Sequence, residues 1–387
     1  MNGFCKKGIR MKTAVEVIKR LKVAGFEAYF VGGAVRDFLL GKNPQDFDVA
    51  TSAEPEQVKR LFDRTVDTGI LHGTVLVLTA GAGVEVTTFR TESDYSDNRR
   101  PDSVEFVKTL DEDLKRRDFT INAMAMTESL EVIDLYGGRK DLEDKLIRAV
   151  GEPDQRFQED ALRMIRAVRF SGQLDFSIDM KTLVSIRKNA ALIRAVAVER
   201  IKVELDKIMA NKHAARSIDY LTDSGLDAHL PSGKLFRTDW QGFSPTADPL
   251  SGWVYAFWHN SQDLSALTVY KFSNDEKNTI KKVLEAASLE TWDSWTYYKY
   301  SSTQLMLAAA LTGRRDEWIP KKADLPINSI SDLAINGRDL MEWTGKKPGP
   351  WLKVVLGEIE RRIVFGKLEN AKDKIKEWFL DEYKRYK

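Results

Sequence analysis

The spacing of apolar residues changes once along the chain, near Pro153. Before this point, short apolar runs alternate with amphipathic stretches, as expected for strands that alternate with helices. After it, strand signals almost vanish and apolar residues recur at helical spacing, for example at Ala161, Ile165 and Val168. The pattern therefore predicts an α/β N-terminal head, with a mixed sheet and helices, followed by a remainder that is all-α.

The head is predicted to begin with a helix that Thr13 caps and that ends near Gly25. A later strand is expected to carry both Asp46 and Asp48. The other elements expected in the head are, in chain order, a strand at 28–31, a helix at 34–40, a β-hairpin formed by 75–79 and 84–89, and a helix over about 110–126.

The segment from Tyr29 to Asp48 carries the strongest chemical signal in the sequence. Its apolar run ends in Gly32-Gly33, which predicts a strand that turns into a helix and offers backbone N–H groups to phosphate. Asp46 and Asp48 are two residues apart, so on a strand both carboxylates project from one face. Because Mg²⁺ takes oxygen ligands from protein and substrate phosphates together, the segment predicts metal-assisted phosphoryl or nucleotidyl transfer.

Further charged residues in the head extend this signal. Glu85 lies on an apolar strand, where it would either add a third carboxylate or orient the pair. Arg116 and Arg117 suit a triphosphate, although a solvated charge run is the ordinary alternative. Asp118 and Asn122 are spaced to share one helical face, where both suit a ribose hydroxyl.

The stretch from Glu159 to Arg169 places acidic and basic residues at helical spacing. Asp160 and Arg163 are three residues apart and are expected to lie side by side on a helix. A surface ion pair is the plain alternative for these two residues alone. Together with Arg166 and Arg169, however, Arg163 begins a basic stripe that suits a polyanion.

Composition narrows the function classes without identifying one. A net charge of +2 does not by itself indicate nucleic-acid binding, although residues 345–387 carry twelve Lys/Arg against seven Asp/Glu. The single cysteine, Cys5, excludes an intramolecular disulfide, and the four histidines show no zinc-site spacing. The sequence shows neither an apolar signal core nor a run long enough to span a membrane, so a cytoplasmic protein is expected.

The order of these motifs resembles that of the class II tRNA nucleotidyltransferases, which comprise the CCA-adding enzymes and bacterial poly(A) polymerase relatives. The resemblance implies a polymerase-β-like nucleotidyltransferase palm in the head, with ATP, CTP and the 3′ end of tRNA as binding partners. The matching motifs are GGAVRD at 32–37, DFD at 46–48, RRDxxxN at 116–122, EDxxR at 159–163 and a weaker C-terminal match at 335–352.

The resemblance also implies roles in the head. Asp46 and Asp48 would be catalytic and hold two Mg²⁺ ions. Gly33, Arg36 and Arg117 would position phosphates and ribose, and RRDxxxN would select ribonucleotides.

In the neck, Asp160 and Arg163 would act as the template for the incoming base. A carboxylate accepts hydrogen bonds from the amino groups of cytosine and adenine, whereas uracil and guanine present a carbonyl there. Arg166 and Arg169 are weaker candidates for base or phosphate contacts.

The polar stretch 91–103 is expected to be a mobile loop. By resemblance, Arg100 and Asp102 would form the basic and acidic pair that helps the template switch from C to A. A solvated turn is the alternative.

Four domains follow from the resemblance, with the Pro-, Ser- and Gly-rich stretch 231–249 separating helical units. A bacterial poly(A) polymerase is the nearest alternative, followed by an enzyme that adds only CC or only A. The chain ends without a long Arg-rich extension and contains the loop pair, so full CCA addition is favoured. Monomer and homodimer are both left open. The domains are a head at 1–148, a helical neck at 149–210, a helical body at 211–325 and a tRNA-binding helical tail at 326–387.

Overall fold

The computed structural model describes residues 2–44, 46–69, 73–79, 82–92, 104–246, 248–260, 263–314 and 317–385. The chain forms two compact units. The first comprises Met1–Phe243 with Val269–Lys271, and the second comprises Ser244–Thr268 with Phe272–Lys387. The first change of unit, between Phe243 and Ser244, falls inside the stretch 231–249 that the sequence predicts to separate helical units. None of the helices described here is long and apolar enough to cross a membrane.

A mixed seven-stranded sheet forms the centre of the head, in the order β3-β4-β5-β2-β1-β8-β9. β2 and β5 run parallel, whereas the other neighbouring pairs are antiparallel. β6 with β7 and β10 with β11 form separate two-stranded ribbons. The strands are β1 (Ala28–Val31), β2 (Asp48–Thr51), β3 (Thr65–Gly69), β4 (Thr74–Leu78), β5 (Gly83–Thr88), β6 (Arg90–Glu92), β7 (Val104–Phe106), β8 (Met124–Met126), β9 (Val132–Asp134), β10 (Leu146–Ile147) and β11 (Ser177–Ile178).

The helical part of the first unit is built around α7, whose Met164, Ile165 and Val168 are fully buried. This helix packs against α9 and α10. The helices are α1 (Asn2–Val23), α2 (Gly33–Leu39), α3 (Pro55–Leu61), α4 (Leu110–Lys115), α5 (Gly138–Glu143), α6 (Pro153–Glu159), α7 (Leu162–Leu174), α8 (Met180–Asn189), α9 (Val198–Met209) and α10 (Ala214–Asp223).

The second unit is helical. Trp253 and Phe257 are fully buried, which confirms that the aromatic-rich stretch supplies a helical core. A further core cluster contains Leu340, Ile359 and Ile375 from α17, α18 and α19. The remaining helices are α11 (Ser251–His259), α12 (Ala266–Val269), α13 (Asn274–Ala287), α14 (Ser294–Lys299), α15 (Ser302–Thr312), α16 (Trp318–Ala323), α17 (Gly337–Thr344), α18 (Trp351–Val364) and α19 (Lys372–Arg385).

Three local predictions are wrong, while the predicted hairpin is confirmed by β4 and β5. Thr13 lies inside α1, because the residues before it contain no proline to stop the helix. β2 begins at Asp48, so Asp46 precedes the strand. The helix expected over 110–126 ends at Lys115, and Met124–Met126 forms a fully buried strand beside β1. Pairing and burial at the centre of the sheet outweigh the helical propensity of Met and Ala.

Candidate active site

The turn between β1 and α2 lies against the guanidinium group of Arg117, at the start of α2. Gly32 has φ of +70°, which glycine adopts without strain. A Cβ atom at Gly32 would lie 3.1 Å from Nη1 of Arg117, so the missing side chain lets this guanidinium approach. The buried Asp113 holds Arg117 through a 2.9 Å ion pair. Burial alone would raise the pKa of Asp113, but Arg117 and Arg116 lower it below its ordinary value.

Carboxylates gather where β2 begins. Asp48 opens this strand beside the last residue of β1, and the parallel register of β2 with β5 sets Glu85 next to it. Partial burial and Glu85 raise the pKa of Asp48, Arg117 lowers it, and Asp46 raises it further. The side chains of Asp46 and Asp48 reach solvent. The structure therefore brings Asp46, Asp48 and Arg117 together and adds Glu85.

The donor set of this cluster suits a divalent cation that is shared with a substrate. Carboxylate oxygens are the protein ligands that Mg²⁺ and Mn²⁺ prefer. Within the described part of the chain, no group of three or more Asp, Glu, His or Cys side chains is placed to hold a metal ion. A site with two carboxylates leaves coordination positions for phosphate oxygens, as is usual for Mg²⁺ at phosphoryl-transfer sites.

A network of hydrogen-bonded polar side chains runs from α2 to α7, and all of its members except the half-buried Arg166 are buried. Arg36 donates to Oδ1 of Asn122 at 2.7 Å, and Nδ2 of Asn122 donates to Oδ1 of Asp118 at 3.1 Å. Arg166 donates to Oδ2 of Asp118 from Nε at 2.8 Å and from Nη2 at 2.6 Å. Burial alone would raise the pKa of Asp118, but Arg166 and Asn122 lower it to about 2.

Two predictions from the sequence concern residues of this network. Asp118 and Asn122 do lie together, but a turn and the short 3₁₀ helix Thr120–Asn122 join them rather than one face of an α-helix. Arg36, expected to contact phosphate or ribose, is only 5% exposed and is bound by Asn122 and Asp37. Its guanidinium lies close to the Gly32-Gly33 turn, since a Cβ atom on Gly33 would lie 3.5 Å from Nη2 of Arg36.

Asp160 lies in the connection between α6 and α7. The expectation that it shares one helix with Arg163 is therefore wrong. Oδ1 of Asp160 accepts a 3.0 Å hydrogen bond from the N–H of Leu162, and Oδ2 forms a 2.8 Å ion pair with Nη2 of Arg200. Asp160 ends α6 in an extended backbone conformation, and its carboxylate satisfies the N–H group of Leu162 in the first turn of α7.

Arg163 has a different set of partners. It is 7% exposed and pairs with Oε2 of Glu159 at 2.6 Å. Its Nη2 donates to the carbonyl oxygen of Arg116 at 3.0 Å, and its Nη1 donates to that of Arg156 at 3.3 Å. Arg163 therefore ties the neck to the RRDxxxN segment of the head.

Helix α9 supplies partners that the sequence did not reveal. The buried Glu204 pairs with Nε of Arg169 at 2.6 Å and lies 4.0 Å from Nη1 of Arg166. Arg169 also lies over the ring of Phe170, 4.0 Å from its centroid. Arg200 and Glu204 are four residues apart, a spacing that places them on one helical face. That spacing was the available signal, but it is common on solvated helices.

Arg100 and Asp102 lie outside the described residues, so their role stays a prediction. The flanking residues form the antiparallel ribbon of β6 and β7, in which Arg90 pairs with Phe106. Gly73, with φ of +78°, fits closely against this ribbon, because a Cβ atom there would lie 2.8 Å from the ring of Phe106.

Three sequence families match this chain. Residues 28–148 match the Poly A polymerase head domain, and this region contains the carboxylate cluster. Residues 175–234 match a family described as the probable RNA and SrmB-binding site of polymerase A, and this region contains α9. Residues 251–379 match a family described as putative domain 2 of tRNA nucleotidyltransferase.

Several relatives are similar over nearly the whole chain. The CCA-adding enzyme of Levilactobacillus brevis is 44% identical over 92% of this chain and 94% of its own length. That of Geobacillus stearothermophilus is 42% identical over 95% and 96%. The crystal structure of the Bacillus stearothermophilus CCA-adding enzyme in complex with CTP matches with a TM-score of 0.88 and 38% identity, over 97% and 98% of the two chains. By sequence and by fold, this chain belongs to the family of the CCA-adding enzymes, which are tRNA nucleotidyltransferases.

Proposed function

We propose that this chain adds C, C and A to the 3′ end of tRNA from CTP and ATP, by Mg²⁺-dependent nucleotidyl transfer that releases pyrophosphate. The observation that carries the proposal is the convergence of Asp46, Asp48 and Arg117 beside the Gly32-Gly33 turn. Metal-binding carboxylates and a phosphate-binding cation thus meet at one place. The related enzyme with 38% identity and the same fold was solved with CTP bound.

Asp46 and Asp48 hold the metal in this proposal, since nucleotidyltransferases of this family generally use a divalent ion. When bound there, Mg²⁺ would supply acidity to the terminal 3′-hydroxyl of the RNA and would offset negative charge on the triphosphate and the departing pyrophosphate. Glu85 adds negative charge beside Asp48 and so strengthens the attraction for a cation. Arg117 and the N–H groups that follow Gly33 position the phosphates. Positioning and electrostatics suffice, so no covalent nucleophile is needed.

Asp160 and Arg163 read the incoming base. The Asp160 carboxylate accepts a hydrogen bond from the amino group of cytosine or adenine, and Arg163 donates to the neighbouring ring nitrogen or carbonyl. Uracil and guanine would place a carbonyl against the carboxylate and leave buried polar groups unpaired, which is costly. Support from partners outside the base site holds each side chain in place before the nucleotide arrives.

Asp118 and Asn122 select ribose over deoxyribose through the 2′-hydroxyl. Arg36 donates to Asn122, and Arg166 donates to Asp118, so both arginines act as positioning residues. We assign Arg169 a structural role rather than a contact with the nucleotide, because its ion pair with Glu204 holds α9 against α7.

The tail, residues 326–387, binds the backbone of tRNA. Cationic side chains lie over its aromatic rings, with Arg362 4.8 Å from the ring of Trp378 and Lys376 5.6 Å from that of Trp343. Structured RNA is recognised largely through shape and phosphates, so a basic surface of this kind needs no base-reading residues.

The proposed reaction places the protein in the cytoplasm, where tRNA, CTP and ATP are present together. The proposal includes four domains, in which the palm of the head binds the nucleotide and the neck selects it. The domains are the head at 1–148, the neck at 149–210, the body at 211–325 and the tail at 326–387.

A single assay tests the proposal. Purified protein receives Mg²⁺ and a tRNA that lacks CCA, together with CTP, ATP or both, and products are resolved at one-nucleotide steps. We expect two additions with CTP alone and a stop after three with both nucleotides. An unbounded A tail would identify a poly(A) polymerase. A stop after CC with both nucleotides, or addition of A only to tRNA ending in CC, would identify a partial enzyme.

A further inference from the structure

We propose that Arg200 of α9 is a positioning residue that sets base choice by orienting the Asp160 carboxylate. The inference rests on the proposed function, because it requires that Asp160 reads the base. No motif that pointed to this function contains Arg200, which is 40 residues beyond its partner in the chain.

The geometry fixes both oxygens of Asp160. Oδ1 accepts from the N–H of Leu162 at 3.0 Å, and Oδ2 pairs with Nη2 of Arg200 at 2.8 Å. The Leu162 contact alone would leave the carboxylate free to rotate about its terminal torsion, which is broad for Asp. The second contact defines its plane. Side-chain exposure is 17% for Asp160 and 35% for Arg200, so the ion pair lies at the edge of the protein rather than in the core.

The two contacts leave the carboxylate able to read a base. Each carboxylate oxygen offers two lone-pair positions, and the contacts with Leu162 and Arg200 use one on Oδ1 and one on Oδ2. The remaining lone pairs point in directions that depend on the plane of the carboxylate, which the ion pair with Arg200 fixes. An exocyclic amino group can therefore approach in a defined direction, while a carbonyl in the same place meets negative charge.

The contacts described above for Asp160 differ in partner from those described for Arg163. Arg163 is held by Glu159 and by the carbonyl oxygen of Arg116, and none of these contacts involves α9. Loss of Arg200 should therefore disturb the reading of the amino group and spare the contacts that Arg163 makes. The expected signature is reduced discrimination between CTP and UTP, together with a smaller change in the rate with CTP.

Arg200→Met tests this directly. We expect the ratio of kcat/KM for CTP to that for UTP to fall about tenfold, because one charge-assisted hydrogen bond to Asp160 is lost. Arg200→Lys, which keeps a donor and the charge, should restore part of the ratio. Arg194→Met is the matched control, since Arg194 is an exposed arginine just before α9, and its ratio should equal that of the wild type.

A double-mutant cycle separates orientation from general structure. If Arg200 acts through Asp160, the variant that carries both Asp160→Ala and Arg200→Met should discriminate no worse than Asp160→Ala alone. Equal losses with CTP and UTP in Arg200→Met, or additive losses in the double variant, would overturn the proposal. If Arg200→Met does not fold, Arg200→Gln keeps the test decisive, because an unchanged ratio in that variant also overturns it.

Failure of the proposed function looks different. In that case Asp160→Ala itself would leave the CTP-to-UTP ratio unchanged, or the wild-type protein would add no nucleotide to tRNA. If Asp160→Ala lowers the CTP-to-UTP ratio but Arg200→Met and Arg200→Gln leave it unchanged, only the role of Arg200 is rejected.

Discussion

The carboxylate cluster of the head and the base-reading residues of the neck are built in different ways, although both lie in the first unit. In the head, strand register places Asp48 beside Glu85. In the neck, groups distant in sequence add to the local contacts, since Asp160 pairs with the side chain of Arg200 and Arg163 donates to a backbone carbonyl oxygen 47 residues earlier. Asp46 and Asp48 can be recognised from the local sequence because they are two residues apart, whereas the ion pair of Asp160 with Arg200 joins residues 40 apart and cannot be recognised in this way.

Removing the carboxylates of the head should have the largest effect on activity. Asp46→Ala or Asp48→Ala should reduce incorporation of both CTP and ATP by about three orders of magnitude, because one metal site serves every addition. Single-turnover assays on tRNA lacking CCA and on tRNA ending in CC measure the two steps. Asp63→Ala is the control, as Asp63 is an exposed aspartate of the same head. Retention of more than a few per cent of either activity would reject the metal assignment.

A neck variant should fail in another way. Asp160→Ala should raise UTP and GTP misincorporation by about one to two orders of magnitude relative to CTP and ATP, since a base contact contributes roughly 1–3 kcal/mol of discrimination. Competition assays with mixed nucleotides give the ratio. If fidelity is intact and only tRNA binding weakens, Asp160 is structural and the two regions no longer differ in the way proposed.

The junction of head and neck should show a pH-dependent contribution to stability. The folded pKa of Asp118, about 2, lies below its ordinary 3.8. Its contribution is therefore fully present above about pH 4 and is lost as the pH falls through about 2. Asp118→Asn should lower the free energy of unfolding by about 2 kcal/mol at pH 7, with the difference from wild type shrinking towards pH 2.

Urea unfolding monitored by circular dichroism at pH 7, 4 and 2.5 measures this difference. Asp144→Asn is the control, because Asp144 pairs with Lys140 on the surface and should change stability by less than about 1 kcal/mol. A difference between Asp118→Asn and wild type that does not shrink on acidification would contradict the assigned pKa.

Variants of the stretch 91–103 should have the smallest effect, and they test how the head and the neck act together. Arg100→Ala or Asp102→Ala should leave C addition nearly intact and lower A addition by at least about tenfold, or about 1.4 kcal/mol in transition-state terms. The reason is that the pair would reorient Asp160 and Arg163 for adenine without touching the metal ligands. Gel assays on tRNA ending before CCA and in CC separate the steps. Equal losses of C and A addition would make the loop purely structural.

The sequence predicted the head better than the supports of the neck. Gly32-Gly33 and the Asp46-Asp48 pair were readable, because a strand, a turn and closely spaced residues bring them together over a short segment. The inward orientation of Arg36 was not readable, since it depends on Asn122, 86 residues away.

The neck shows the same limit. Its helices follow from apolar spacing, but the break at Asp160 does not, because Glu159 to Arg163 contains neither proline nor glycine to announce it. Glu204 and Arg200 have no local pattern that separates them from an ordinary solvated pair. Only the fold shows that their partners are Arg169 and Asp160.

The order of strands in the sheet has a consequence for synthesis of the protein on the ribosome. β1 and β2 are adjacent, but their outer neighbours are β8 and β5, which are made later. β8 ends only at Met126, so a nascent chain that has exposed Asp46 and Asp48 still lacks strands on both sides of them. Pairing of strands far apart in sequence is slow, because the intervening chain must first be closed. We therefore expect the carboxylates to acquire their fixed geometry abruptly, once residues up to about 126 have left the exit tunnel, rather than gradually as the chain grows.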